Sequence, residues 1–172
     1  MKFNLLIVMV AIFMVSCKSN NGAVKYNNLV VEQQNKLKAA MDENEPKLKG
    51  YFSSFEYDSI TAISTRMEAQ VNSIIETLQK EPAPKAEQGE NFKKAVLNYF
   101  DYVKSVYDSY KNYGTQTEAQ GRMYASMDIA RMLSHENKVF DDMLEAQKIF
   151  AKDNKFKIKE VKTNTDNSVV KK

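Results

Sequence analysis

The chain has 172 residues, 43% of them hydrophobic, which is enough for a single domain with a sizeable core. Its formal net charge of +3 makes no case for nucleic acid as a partner. One cysteine excludes a disulfide within the chain, and one histidine is too few for a zinc-peptidase helix or a ferritin-like di-iron centre.

Lys2 opens a leader. From Phe3 to Val15 only Asn4 interrupts an apolar run of about 13 residues, the length of a signal h-region and short of the roughly 20 needed to span a bilayer. Met14-Val15-Ser16-Cys17 comes next and resembles the lipobox of bacterial lipoproteins. Compact side chains at Val15 and Ser16 let the backbone enter a peptidase cleft, and the Cys17 sulfur is the nucleophile that accepts lipid. The resemblance implies a signal peptide over 1–16, cleavage before Cys17 and a palmitate-type anchor on it. An ordinary secretory leader with an incidental cysteine would leave a lone thiol in an oxidising compartment.

Each buried CH₂ of an acyl chain contributes roughly 0.8 kcal/mol, so two or three chains hold a protein to a membrane where one would leak. Residues 17–24 read as the lipidated cysteine and a polar tether, Lys18-Ser19-Asn20-Asn21-Gly22 having a reach of about 15 Å as a flexible chain. By the same resemblance, the absence of Asp after Cys17 implies the outer membrane, with the protein on its periplasmic face. Lys18 has no acids after it, so the pattern of surface export is only half present.

Residues 25–152 read as four helices. Leu29, Val30, Gln33, Leu37, Ala40, Met41 and, beyond Pro46, Leu48 repeat at helical spacing. A second series, Ile60, Ile63, Met67, Val71, Ile74 and Leu78, comes after the N-cap candidates Asp58 and Ser59 and stops at Pro82-Ala83-Pro84. The third runs Phe92, Val96, Tyr99, Val103, Val106, Tyr110, Tyr113, with Gly114 placed to end it at positive φ. Thr115-Gln116-Thr117-Glu118 offers a capping box. The fourth series is Ala119, Met123, Met127, Ala130, Leu133, Asn137, Phe140, Leu144 and Gln147, reaching Phe150; at about 34 residues and roughly 50 Å this helix should overhang, kink or fray. Short polar connections predict an all-α, up-down-up-down four-helix bundle.

That topology puts the start of helix 1, the loop between helices 2 and 3 and the C-terminus at the lipid end, and the link between helices 1 and 2 at the free end. The link, Gly50 to Tyr57, carries Tyr51, Phe52, Phe55 and Tyr57. Aromatics with polar tips suit a partner-binding surface, and equally a plug closing the core.

Helix 3 concentrates tyrosine at 99, 102, 107, 110 and 113, with Phe100 among them. Phe100, Tyr102 and Tyr107 widen its apolar arc so that it touches two neighbours, which reads as core, or as the lining for a tetrapyrrole or other flat apolar ligand. His135 falls off the seam and reads as a surface residue. Asn137 falls on it, either fixing register or lying exposed. Asp101, Asp108, Asp128, Asp141, Asp142 and Glu145 read as solvated faces. No Ser or Cys has a credible base, so no enzyme activity, metal or cofactor is expected.

Residues 153–172 form a basic tail in which Phe156, Ile158 and Val161 alternate weakly. Lys155, Lys157, Lys159, Lys162, Lys171 and Lys172, with Lys152 before them, lie on anionic headgroups or in solvent.

From Tyr26-Asn27-Asn28-Leu29-Val30-Val31-Glu32-Gln33-Gln34 to Ala146-Gln147-Lys148-Ile149-Phe150-Ala151-Lys152, the chain resembles the small helical lipoproteins and surface proteins of Bacteroidota. The resemblance implies location and fold, and brings no catalytic residues. It leads to the expectation of a non-enzymatic binding or scaffolding module in the envelope, with an envelope protein as partner; the alternative is a carrier of a small apolar or tetrapyrrole ligand.

Overall fold

A computed structural model of the chain describes residues 21–158. The leader, Cys17 and the tail lysines from Lys159 onward, with Val161, lie outside the described residues. Within them are four helices, α1 (Asn21–Ser54), α2 (Tyr57–Lys80), α3 (Gly89–Thr115) and α4 (Ala119–Asp153), and no strand.

Helical periodicity decides the core. Every residue of the series proposed for α2 and α3 is buried, because positions three and four apart share one face. Phe100 and Tyr107 are buried as well and Tyr102 half-buried, so α3 is apolar over a wide arc. Its backbone packs most extensively against α2, then against α4, while α1 leans on α2.

Contacts at the two ends make successive helices antiparallel. At one end Tyr26 of α1 meets Phe92 of α3 edge-on at 5.9 Å, and Phe92 stacks on Phe150 of α4 at 4.8 Å. Lys93 of α3 donates to the Gln79 and Glu81 carbonyls at the end of α2, at 3.1 and 2.6 Å. At the other end Phe52 of α1 stacks on Tyr113 of α3, 4.6 Å away, and Tyr57 at the start of α2 lies 5.8 Å from the same ring.

Several boundaries differ from those the sequence predicts. α1 begins at Asn21 and not near Tyr26, and Ala23 and Val24 are already buried, so the end of the expected tether is helical. It also runs through Pro46 to Ser54, which turns an eight-residue link into the two residues Phe55 and Glu56. Phe55 adopts φ 59 and Glu56 N–H donates back to the Tyr51 carbonyl at 2.9 Å, a Schellman stop with phenylalanine where glycine is usual. The N-cap of α2 is Glu56, not Asp58 or Ser59; no side chain caps it, and Ser54 and Ser59 donate to the Glu56 carboxylate instead. The capping box is likewise absent: Thr115 closes α3, donating to the Asn112 carbonyl, and Glu118 caps α4 without a side-chain bond.

α4 has the expected length, at 35 residues, but another seam in its first half. Met123 and Met127 are 50% and 60% exposed, and Ala119, Ala130 and Asn137 are exposed too. Ala125 and Ile129 are buried in their place, and the stripe continues through Phe140, Met143, Gln147 and Phe150. Two stripes at helical spacing compete here, and the one through Ala125 and Ile129 faces the core. After α4, Lys155 at φ 58 reverses the chain and Phe156 packs edge-on against Phe150 at 5.7 Å.

Gly114 does not end α3 at positive φ; it is helical. A Cβ there would lie 2.3 Å from Thr61 Oγ1 and 2.8 Å from the Tyr57 carbonyl oxygen, so glycine is needed for the approach of α2. Gly50, by contrast, has open space around it. Gly114→Ala should therefore destabilise the fold by about 1–3 kcal/mol despite alanine's better helix propensity, whereas Gly50→Ala should stabilise it by about 0.5–1 kcal/mol. Urea denaturation of the two variants reads the opposite signs.

Candidate functional site

The four aromatics of the link divide into two roles. Phe52 uses one face on Tyr113 and its edge on Tyr110, 6.0 Å away, and Tyr57 lies between Tyr113 and the Arg122 guanidinium, which sits 4.4 Å above its ring. These two close the end of the core. Tyr51 is half-buried against it. Phe55 is 64% exposed, at 6.5 Å from Tyr57, and α4 starts at the same end with Met123, Tyr124 and Met127 in solvent. The end that carries the α1–α2 link thus combines a packed aromatic floor with exposed apolar side chains that sequence reasoning assigned partly to the core.

A second arrangement lies between α1, α3 and α4. Asn27, Gln34 and Glu45 fall on one face of α1, and Glu136, Met143 and Gln147 on one face of α4. Gln147 Nε2 donates to Asn27 Oδ1 at 2.9 Å, and Gln34 Nε2 to Met143 Sδ at 3.5 Å. Farther along, the Tyr107 hydroxyl of α3 donates to Glu45 Oε1 at 3.2 Å. Glu45 and Glu136 are both half-buried, and among the described residues neither forms an ion pair with Lys or Arg.

Removal from water pushes both carboxyls up to about 7; for Glu45 the Glu136 and Asp42 charges add to the rise, and the Tyr107 hydrogen bond opposes it. Burial, reinforced by these carboxylates, likewise raises the Tyr99, Tyr107 and Tyr110 hydroxyls, and Tyr102 rises to about 12. The site is an acidic patch set in a tyrosine-lined wall. Sequence reasoning passed over Glu45 and Glu136, although polar residues at 27, 34 and 45 share a helical face and could have marked a polar seam.

His135 is exposed, its Nδ1 2.9 Å from the Arg131 carbonyl oxygen, and Asn137 is exposed, so neither joins this cluster. Among the described residues no three of His, Cys, Asp and Glu come together as a metal site, and no helix is long and apolar enough to cross a membrane. Asp101, Asp108, Asp128, Asp141, Asp142 and Glu145 stand on the outer helix faces, Asp108 pairing with Lys111 at 3.0 Å.

Phe52 and Phe55 should behave oppositely. Phe52→Ala loses ring packing and should cost about 2–3 kcal/mol, while Phe55→Gly relieves a left-handed residue and should gain about 1 kcal/mol. Thermal unfolding followed by circular dichroism distinguishes the two.

Comparison with known protein families, curated proteins and solved structures finds no match, so every functional assignment rests on this chain's own residues.

Proposed function

We propose that this chain is an exported lipoprotein of the Bacteroidota type, cleaved before Cys17, anchored to the outer membrane by lipid on that cysteine, and acting as a non-enzymatic binding or scaffolding module through its free end. The anchor is supported by the apolar leader ending in Met14-Val15-Ser16-Cys17. With α1 starting only a few residues after Cys17, the body would stand close to the periplasmic face of the membrane, and the Phe55–Met127 end would point away from it.

The observation that carries the binding role is that Phe55, Met123, Tyr124 and Met127 are exposed in the part of the chain that lies at one end of the bundle. Large apolar side chains grouped at one exposed end are the usual raw material of a protein contact, since their burial on association is favourable. An envelope protein is the partner class that fits this location.

A carrier role for a flat apolar ligand has less support. The rings that would line such a site use their faces on one another, as in the Phe92–Phe150 and Phe52–Tyr113 stacks, and Tyr99 packs on Phe100 and Phe140 at 5.2 and 5.6 Å.

Metabolic labelling with a palmitate analogue should mark the wild-type chain and leave Cys17→Ser unlabelled and released from the membrane fraction; labelling that survives the substitution would sink the anchor. Crosslinking in the native envelope should yield an adduct that Phe55→Ala with Met127→Ala removes while the helix content stays unchanged. An adduct of undiminished yield in that double variant would rule out the free end as the contact.

A further inference from the structure

The end of the bundle opposite the α1–α2 link is assembled by three cross-connections. Lys25 of α1 pairs with Glu81, just beyond α2, at 3.4 Å. Lys93 of α3 donates to the Gln79 and Glu81 carbonyls. The Asn154 side chain, at the C-cap of α4, donates to the Glu87 carbonyl of the α2–α3 loop at 2.9 Å. Residues 21–26, 78–95 and 148–158 thus make up one end face.

Charge is divided unevenly between this face and the rest. The three stretches hold nine lysines against four acids, a net of +5, whereas the other described residues hold ten Lys and Arg against sixteen Asp and Glu, a net of −6. Pairing is divided the same way. Seven of those ten cations pair with an acid, as Lys138 does with Asp142 at 2.6 Å. At the end face Lys85, Lys94, Lys152, Lys155 and Lys157 are exposed and form no ion pair among the described residues, with Glu87, Glu90 and Asp153 the unpaired acids beside them. Like charges held on one face by a rigid scaffold repel one another, and an array of anions laid against them relieves that repulsion.

We propose that this end face docks on anionic lipid headgroups and stands the bundle upright on a membrane. Where the chain goes identifies the occupant. α1 starts at this face, and the apolar run of residues 3–15 and Cys17 come immediately before it, so either a membrane-inserted leader or an acylated Cys17 delivers the face to phosphate headgroups. The choice of lipid rests on the exported-lipoprotein reading; the asymmetry of charge does not.

The length of the bundle fixes the orientation. Helices of 24 to 35 residues span roughly 36 to 52 Å, while charges are screened beyond about 10 Å at 0.1 M salt. Upright, the unpaired lysines meet the headgroups and most of the acidic remainder lies out of range. Lying flat, exposed acids such as Asp101 and Asp141 would face a surface of their own sign.

The full chain carrying Cys17→Ser, co-sedimented with vesicles of phosphatidylcholine alone or with about 30% phosphatidylglycerol, reads the electrostatic part, because the apolar leader partitions into both alike. It should prefer the anionic vesicles by about tenfold or more at about 0.05 M salt and lose that preference at about 0.5 M. A lysine near the surface contributes about fivefold, so Lys85→Gln/Lys94→Gln/Lys152→Gln/Lys155→Gln should abolish the preference. None of these four side chains makes a hydrogen bond among the described residues, so helix content by circular dichroism should stay unchanged. Lys36→Gln/Lys49→Gln/Arg66→Gln/Lys138→Gln, the same loss of net charge away from the face, should leave the preference within about twofold. A chain with no preference for the anionic vesicles, as an acidic protein occupant would give, overturns the docking. So does a preference that survives in the first variant, carried by leader or tail lysines, or one that falls equally in both variants. Because Cys17→Ser removes the acyl chains in every arm, a failed lipid anchor leaves this result untouched.

Discussion

The arrangement depends on α3 being apolar over an arc wider than the narrow stripe of a helix with one neighbour. A helix that faces one neighbour needs a narrow stripe, but α3 must meet α2, α4 and the far side of α1, and it does so with Phe92, Val96, Tyr99, Phe100, Val103, Val106, Tyr107, Tyr110 and Tyr113. Large rings are what make the third contact workable. Phe92 reaches Tyr26, and Tyr110 and Tyr113 reach Phe52, across a gap that aliphatic side chains would leave void. Tyrosine rather than phenylalanine at the margins lets the same ring end in a hydrogen bond, as Tyr107 does on Glu45 and Tyr102 on the Met132 carbonyl.

Because α1 packs on α2 and α4 on α3, α1 and α4 need not hold each other, and their seam is free to be polar. That freedom has a cost in stability. A half-buried carboxyl without a cation is unfavourable, and a buried amide oxygen without a donor costs on the order of 1–3 kcal/mol. The close α2–α3 interface offsets this: Glu68 of α2 pairs with Lys111 and Lys104 of α3 at its edge, and Gly114 lets the backbones meet. Stability is thus unevenly distributed, concentrated in α2 and α3 and thin along α1–α4.

The same division explains how much was legible in the sequence. α2 and α3 carry uninterrupted apolar series whose spacing admits one face only, and every residue of those series is buried. α4 was harder because Met123 and Met127 continue one stripe and Ala125 and Ile129 another, and which of the two faces inward is decided by the helices it packs against. The Phe55 turn was hidden for a different reason. Glycine would have announced a helix stop at φ 59, and phenylalanine does not. Gly114 marked the end of α3 to within one residue but for another reason, since its lack of a side chain serves contact with Thr61 and not a positive φ.

Both candidate sites sit where a local rule of folding is broken. Phe55 takes a backbone conformation that disfavours its side chain and leaves that side chain in solvent, where it gains nothing by packing. Glu45 and Glu136 occupy partly dry positions that an uncharged residue would fill more favourably. Acids such as Glu43 and Asp142, by contrast, sit in solvent beside Lys47 and Lys138. A fold that places most of its charges so plainly, and departs from the pattern at one rim and one seam, points to those two places as the ones where something other than stability set the residue.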